Sequence, residues 1–275
     1  MGFMQEKREN INIFTIPSFT ATNLVEHAFT TRRDGESKGE FSSLNLAFHV
    51  GDDHESVLQN REKVVRILGA TLEQLVAGEQ VHGKRVQVVK QQDRGRGSLS
   101  LDTAFPETDS LITNVPGIIL SSYYADCVPL FFLDPVNKAV GLAHAGWKGT
   151  WQQISVATLE AMRDNYHTVP ENCLVAIGPS IGPCCYQVDK PVMEQFASTF
   201  DYHQTFSYYS YEDKWVIDLW KANQEQLTRF GVPLKNIVVS RLCTACHRDL
   251  FYSYRKENGR TGRQASFIML KRGGS

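Results

Sequence analysis

Between residues 55 and 68, Val57, Val64, Val65 and Leu68 recur at helical spacing, which predicts an amphipathic helix. Segments 85–90, 117–123, 128–133 and 140–144 are short runs rich in Val, Ile, Leu and aromatics, and they read as strands. Asp134-Pro135-Val136-Asn137-Lys138 is turn material between the last two, so a hairpin is expected there. A second helix is expected over 151–165, with Thr150 as its cap and Gln153 three residues on in the capping-box pattern. Strands at 174–177, 215–219, 236–242 and 266–270 and helices near 192–200 and 220–230 complete the set. Strands alternate with helices while hairpins are also present, which predicts mixed sheets. No repeat or long linker divides the chain, and the polar stretch 91–100 reads as a surface loop. The expected architecture is α/β: a single domain over residues 1–275, with mixed β-sheets flanked by helices.

The hydrophobic share of 42% across 275 residues is enough for a full-sized core. Lys and Arg number 29 against 30 Asp and Glu, a net charge of −1 that gives no global attraction to nucleic acid or anionic membrane. The first residues are polar and lack the apolar centre of a secretory signal, and the longest apolar run, 128–133, is far too short to span a bilayer. A cytoplasmic protein with no membrane partner is therefore expected. In that compartment six cysteines suit burial, metal binding or catalysis better than a disulfide framework.

Three residues share a placement beside predicted strand ends, where α/β folds carry their ligand sites. His82 lies in Gln80-Val81-His82-Gly83, Cys127 in Ala125-Asp126-Cys127-Val128-Pro129, and His144 immediately before Ala145-Gly146-Trp147-Lys148-Gly149. Two imidazoles and a thiolate suit zinc and leave a fourth position open. The plainer alternative is two ordinary polar residues and a small core thiol, because no compact metal motif is present. Gly146 and Gly149 flank Lys148 ahead of the expected helix, an arrangement suited to an anion or simply to a tight turn. Arg61 falls on the apolar stripe of the first helix and needs either an anionic partner or a route for its head to water. Asn45, polar between Leu44 and Leu46, is a further candidate to touch a ligand.

Cys243-Thr244-Ala245-Cys246-His247 matches the haem-attachment pattern, but a chain without an export signal is not expected to carry covalent haem. A zinc ribbon would need a second C-x-x-C pair, whereas Cys184 and Cys185 are adjacent, so a reducible pair or plain structural cysteines are expected. Arg248, Arg255, Arg260 and Arg263 with Tyr252 and Tyr254 form a basic-aromatic stretch, read as a solvated loop rather than a nucleic-acid surface.

The blocks around Cys127 and His144, the run Ile177-Gly178-Pro179-Ser180-Ile181-Gly182-Pro183-Cys184-Cys185-Tyr186, and His49-Val50-Gly51-Asp52 resemble one bacterial family over nearly the whole chain. That family is called polyphenol oxidase or laccase-like, and also peptidoglycan editing factor; its mammalian relatives are purine nucleoside enzymes of macrophages. Ser180 stands where many members have Cys. The resemblance implies a single catalytic α/β domain and a zinc site at His82, Cys127 and His144, with copper as the alternative metal. It implies phosphorolysis of adenosine, inosine, guanosine and methylthioadenosine, with adenosine deamination alongside. Small-molecule partners, a purine nucleoside and phosphate, follow from it. On that reading Asn45, Arg61, Gly146 and Lys148 are expected to contact substrate, with Arg61 and the 145–149 loop on phosphate. Three rivals remain: a cysteine amidase acting on a cell-wall precursor, with Cys127 as nucleophile; a copper phenol oxidase, poorly served by 8 histidines; and a non-catalytic binding module.

Overall fold

Two six-stranded sheets pack face to face, one covered on its outer side by a single helix and the other by several, a four-layer arrangement in the computed structural model, which describes residues 2–272. One sheet runs, in spatial order, Met4–Arg8, Ile11–Thr15, Val25–Thr30, Gln264–Leu270, Ile119–Tyr124 and Leu75–Ala77. The other runs Ile237–Val239, Leu174–Ile177, Val128–Asp134, Ala139–Ala145, Ser110–Thr113 and Val86–Val88. A small third sheet joins Gln187–Asp189, Lys214–Ile217 and Ser207–Tyr209. Both large sheets are mixed: each pairs most neighbours antiparallel but carries parallel pairs such as Leu75–Ala77 against Ile119–Tyr124 and Leu174–Ile177 against Ile237–Val239.

The layering explains why the strands look like unbroken apolar runs. Along Val128–Asp134, the side chains of Phe131 and Leu133 enter the core between the sheets, while Leu130 and Phe132 pack under the helices Ile154–Tyr166 and Leu219–Arg229. Successive side chains point to opposite faces of a strand, and here both faces are dry. In Gln264–Leu270, Ile268 and Leu270 join the same central core, whereas Phe267 and Met269 meet the helix His54–Ile67 through Val64, Val65 and Leu68. The 134–138 turn closes the expected hairpin, with Val128 opposite Ala145 and Asp134 opposite Ala139. Asp134 accepts from the backbone N–H groups of Val136 and Asn137, which fixes the turn.

The His54–Ile67 helix begins one residue before its expected start and is capped by Asp53, whose carboxylate accepts from Ser56 N–H at 2.9 Å. The second expected helix is differently built. A short helix, Trp147–Trp151, turns first; Gln153 then takes a left-handed backbone (φ 61°), and Ile154–Tyr166 follows. Thr150 is not a cap: it lies within the first helix and donates to the Ala145 carbonyl at 3.3 Å. No helix among the described residues is long and apolar enough to cross a membrane.

Candidate active site

The hairpin of strands Val128–Asp134 and Ala139–Ala145 sets two of the three predicted residues side by side. Val128 pairs with Ala145, so Cys127 and His144 meet at the open end of that ladder. His82 arrives from another loop and is held in a left-handed conformation (φ 62°) that an L-residue seldom adopts without support. The support is Asp109. Its carboxylate accepts from the backbone N–H groups of Val81, His82 and Gly83 at 3.2, 3.0 and 2.7 Å. The same carboxylate sits 2.8 Å from His144 Nδ1, and the Asp109 carbonyl accepts from His144 N–H. One buried acid therefore positions both histidines.

The nitrogen and sulfur donors of His82, Cys127 and His144 all lie within 4.8 Å of one another, and the imidazole rings stand edge to face at 4.8 Å between centroids. With Nδ1 committed to Asp109, His144 offers Nε2 to the cluster, the carboxylate–histidine arrangement typical of metal sites. Gly146 completes the cradle. A Cβ there would come within 2.9 Å of His82 Cδ2 and 3.0 Å of Cys127 Sγ, so glycine is needed to leave the space open. Two imidazoles and a thiol with room between them fit a zinc ion, and copper is the alternative soft enough for the same set.

Burial alone would push the Cys127 thiol up, but the charge of His144 and hydrogen bonds from His144 and His82 outweigh it and bring it down to about 6. Burial likewise opposes a charged His144, yet the Cys127 thiolate and Asp109 raise it above its ordinary value. For Asp109, desolvation is overcome by His144 and by its backbone donors, and the carboxyl is held low. The cluster is thus set up to keep sulfur as thiolate, the form that binds metal or attacks carbon.

These residues floor a cavity of about 540 Å³, in the range of small-molecule sites. Its walls include His49, Trp147, Tyr186, Tyr254, Arg255 and Arg263. Arg263 is the chief basic group there. Its Nη1 donates to the carbonyls of Thr261 and Gly262, and among the described residues Nε and Nη2 meet no protein acceptor. Arg255 lies over Tyr186, 5.2 Å from the ring centre, and donates to the Gln187 carbonyl. The stretch carrying Arg255 and Arg263 reads from sequence as a solvated loop; Tyr254, Arg255 and Arg263 instead wall the cavity, and the clustering of Arg with Tyr was the available signal.

Of the four residues expected to contact substrate, only Gly146 lines this cavity. Arg61 neither snorkels nor faces it. The residue is 2% exposed; its Nε donates to Leu46 O at 2.8 Å and its Nη1 to Gly97 O and Ser98 O at 2.7 and 2.9 Å. Its guanidinium lies over Phe48 and Tyr123. The void beside it holds about 20 Å³, room for one water and not for phosphate. Asn45 is fully buried and acts at one remove, accepting from the Arg263 N–H at 2.9 Å while its amide donates to Asp52. Lys148 points to solvent 5.7 Å from the Trp147 ring. It sits within the five-residue helix Trp147–Trp151. Sequence reasoning missed Asp109, whose signal was confined to being an acid beside a strand.

Residues 26–271 match the family model described as multi-copper polyphenol oxidoreductase laccase. Purine nucleoside phosphorylase YlmD of Geobacillus stearothermophilus is 42% identical over 240 residues, covering 87% of this chain and 88% of that protein. Adenosine deaminase RL5, from an unknown prokaryotic organism, is 34% identical over 248 residues, covering 90% and 94%. Among solved structures, YlmD from Geobacillus stearothermophilus superposes with a TM-score of 0.93 at 38% identity, over 98% of this chain and all of that one. Bacillus licheniformis hypothetical protein YfiH gives 0.91 at 37%, over 98% and 99%.

Proposed function

Since the chain belongs to the multi-copper polyphenol oxidoreductase laccase family, whose relatives here are named as purine nucleoside enzymes, we propose that it is a purine nucleoside phosphorylase with adenosine deaminase activity. The observation that carries this reading is the His82–Cys127–His144 cluster opening onto a nucleoside-sized cavity walled by arginines and aromatic rings. His82, Cys127 and His144 would hold a zinc ion, which when bound supplies Lewis acidity at the cavity floor.

Phosphorolysis needs phosphate held against the anomeric carbon of the ribose while the purine leaves with its bonding electrons and gains a proton. Arg263, with Nε and Nη2 directed to no protein acceptor, is the proposed phosphate ligand, with Arg255 beside it; they take the place expected for Arg61 and Lys148. Tyr186, Tyr254 and Trp147 offer flat faces for the base. Asn45 serves by fixing the backbone of Arg263, and Gly146 by keeping the cradle clear. The deaminase activity does not rest on the H-x-E motif of base-editing zinc enzymes, because Gly83 and Lys84 follow His82. Residues 1–275 are proposed to act as one catalytic domain in the cytoplasm, a reducing setting suited to six free cysteines.

Incubating the purified protein with a panel of purine nucleosides, with and without phosphate, tests the proposal. Free base released only when phosphate is present supports it, and turnover of no nucleoside overturns it.

A second reading draws on a specific feature. Cys127, His144 and Asp109 stand in nucleophile–base–orienter sequence, with the thiol lowered to about 6. That arrangement suits an amidase acting on a cell-wall precursor. The two separate on His82→Ala and on chelation. Loss of metal and activity together favours the metal site, whereas retained turnover of a muramoyl peptide in the chelated protein favours the nucleophile.

A further inference from the structure

Away from the cavity floor, Cys184, Cys185, Cys243 and Cys246 bring four sulfurs within 4.8 Å of one another. We propose that they form a second metal site, a zinc ion held by four thiolates that fastens one wall of the cavity. The adjacency of Cys184 and Cys185, which argued against a zinc ribbon from sequence, is no obstacle in three dimensions. Both sulfurs approach Cys246, at 3.6 and 3.5 Å. Ligands sharing a tetrahedral zinc with bonds of about 2.3 Å sit about 3.8 Å apart, close to these separations. A disulfide, by contrast, requires sulfurs about 2.05 Å apart.

The two arms are held in place without the metal. The backbone at Ser180 bridges that at Cys243, through Ser180 N–H to Leu242 O and Thr244 N–H to Ser180 O at 3.2 and 3.1 Å. One arm then turns at Gly182–Cys185, where Cys185 N–H donates to Gly182 O. The other turns at Cys243–Cys246, where the N–H groups of Cys246 and His247 donate to Cys243 O. Cys243 Sγ also accepts from the Gly182 N–H at 3.2 Å, a bond that strengthens when sulfur carries charge. Cys184 and Cys246 are exposed, so an ion can enter from solvent. Binding would release one proton from each thiol to solvent, leaving four zinc–sulfur bonds.

The location gives the site its role. Ile181 and Tyr186, on either side of Cys184 and Cys185, line the cavity. Thr244, between Cys243 and Cys246, donates to Asp126 Oδ1 at 2.6 Å, immediately before Cys127. A zinc ion joining the two arms would clamp that wall to the strand end carrying Cys127.

Metal content of protein expressed with zinc, measured by mass spectrometry against protein concentration, tests this. About two zinc ions per chain are expected for the unaltered protein, and about one after His82→Ala with His144→Ala. Cys184→Ser with Cys246→Ser should also leave about one, at the other site, whereas Cys246→His with Cys184 retained should keep about two because imidazole is itself a zinc ligand. Cobalt added to the His82→Ala, His144→Ala protein should produce the intense visible bands of a tetrahedral tetrathiolate ion, and this readout decides the matter if the serine variant fails to fold. Unchanged zinc content in a folded Cys184→Ser, Cys246→Ser protein, or no such cobalt spectrum, overturns the proposal. So does a disulfide to Cys246 in protein purified under reducing conditions.

Discussion

Gly146 shows what a single hydrogen in place of a methyl accomplishes. Gly146→Ala would place a carbon against His82 and Cys127 at once, and His82 cannot retreat easily because Asp109 fixes its backbone. Metal affinity should fall by about tenfold or more, read by competition with a chelator, while the fold survives. Arg61→Ala should do the reverse. It strips three buried carbonyls of their donors and empties the space over Phe48 and Tyr123, a loss of about 3–5 kcal/mol in stability. The KM for phosphate should stay unchanged in whatever protein folds, whereas Arg263→Ala should raise it about tenfold or more with a smaller effect on nucleoside. A raised phosphate KM in Arg61→Ala would return that arginine to the site. The residues of the metal cluster stood out as candidates because chemistry restricts which side chains can serve, but their spacing alone left them open and the family resemblance made the choice. Arg61 was not: its place on an apolar stripe announces an unusual partner without saying whether that partner is a ligand or the protein's own carbonyls.

At the scale of elements, helices could be read and sheets only partly. The His54–Ile67 helix declares one buried stripe, so its period is visible and its start falls within one residue of the expected one, whereas its Asp53 cap was not read. The strands declare neither face, since Phe131 and Phe132 are equally buried in different cores. Sequence therefore located the strands only in part, leaving out Val25–Thr30, Leu75–Ala77, Ser110–Thr113, Gln187–Asp189 and Ser207–Tyr209, and could not divide the rest between two sheets. The strand Met4–Arg8 escaped notice as an edge strand with mostly exposed side chains, and Ile11–Thr15 escaped with it although it is mostly buried. The joint between Trp147–Trp151 and Ile154–Tyr166 escaped too, as a left-handed Gln153 has no compositional mark. The central core makes a graded prediction. Phe131→Ala should cost about 3–5 kcal/mol, against about 1 kcal/mol for loss of the Asp53 cap in Asp53→Ala. Chemical denaturation of both variants checks this, and equal costs would contradict the packing of two sheets on Phe131.

For the molecule as a whole, acid should be destabilising partly through a histidine remote from the cavity. His27, on a strand of the first sheet, accepts from the Ile16 N–H through Nε2 at 2.8 Å and must stay neutral to do so. Burial, reinforced by Arg8, lowers it from 6.5 to about 4 despite the opposing charge of Glu26. Above pH 6.5 neither the folded nor the unfolded chain holds this proton, so it has no effect. As pH falls from 6.5 towards 4 the unfolded chain takes it up and the folded one does not, so stability falls, by about 2 kcal/mol at pH 5. Melting temperature followed over that window should decline, and His27→Gln should flatten the decline; an unaltered slope would place the sensitivity elsewhere.

The Gln264–Leu270 strand lies in the middle of its sheet, between Val25–Thr30 and Ile119–Tyr124. During synthesis those two neighbours emerge long before the segment that must separate them. Until it leaves the ribosome each presents an unpaired edge, and the helix His54–Ile67 lacks Phe267 and Met269 to rest on. The nascent chain must therefore wait with half its sandwich unjoined, a window in which it is exposed to wrong pairing and to chaperones, and which closes only when the last strand is inserted.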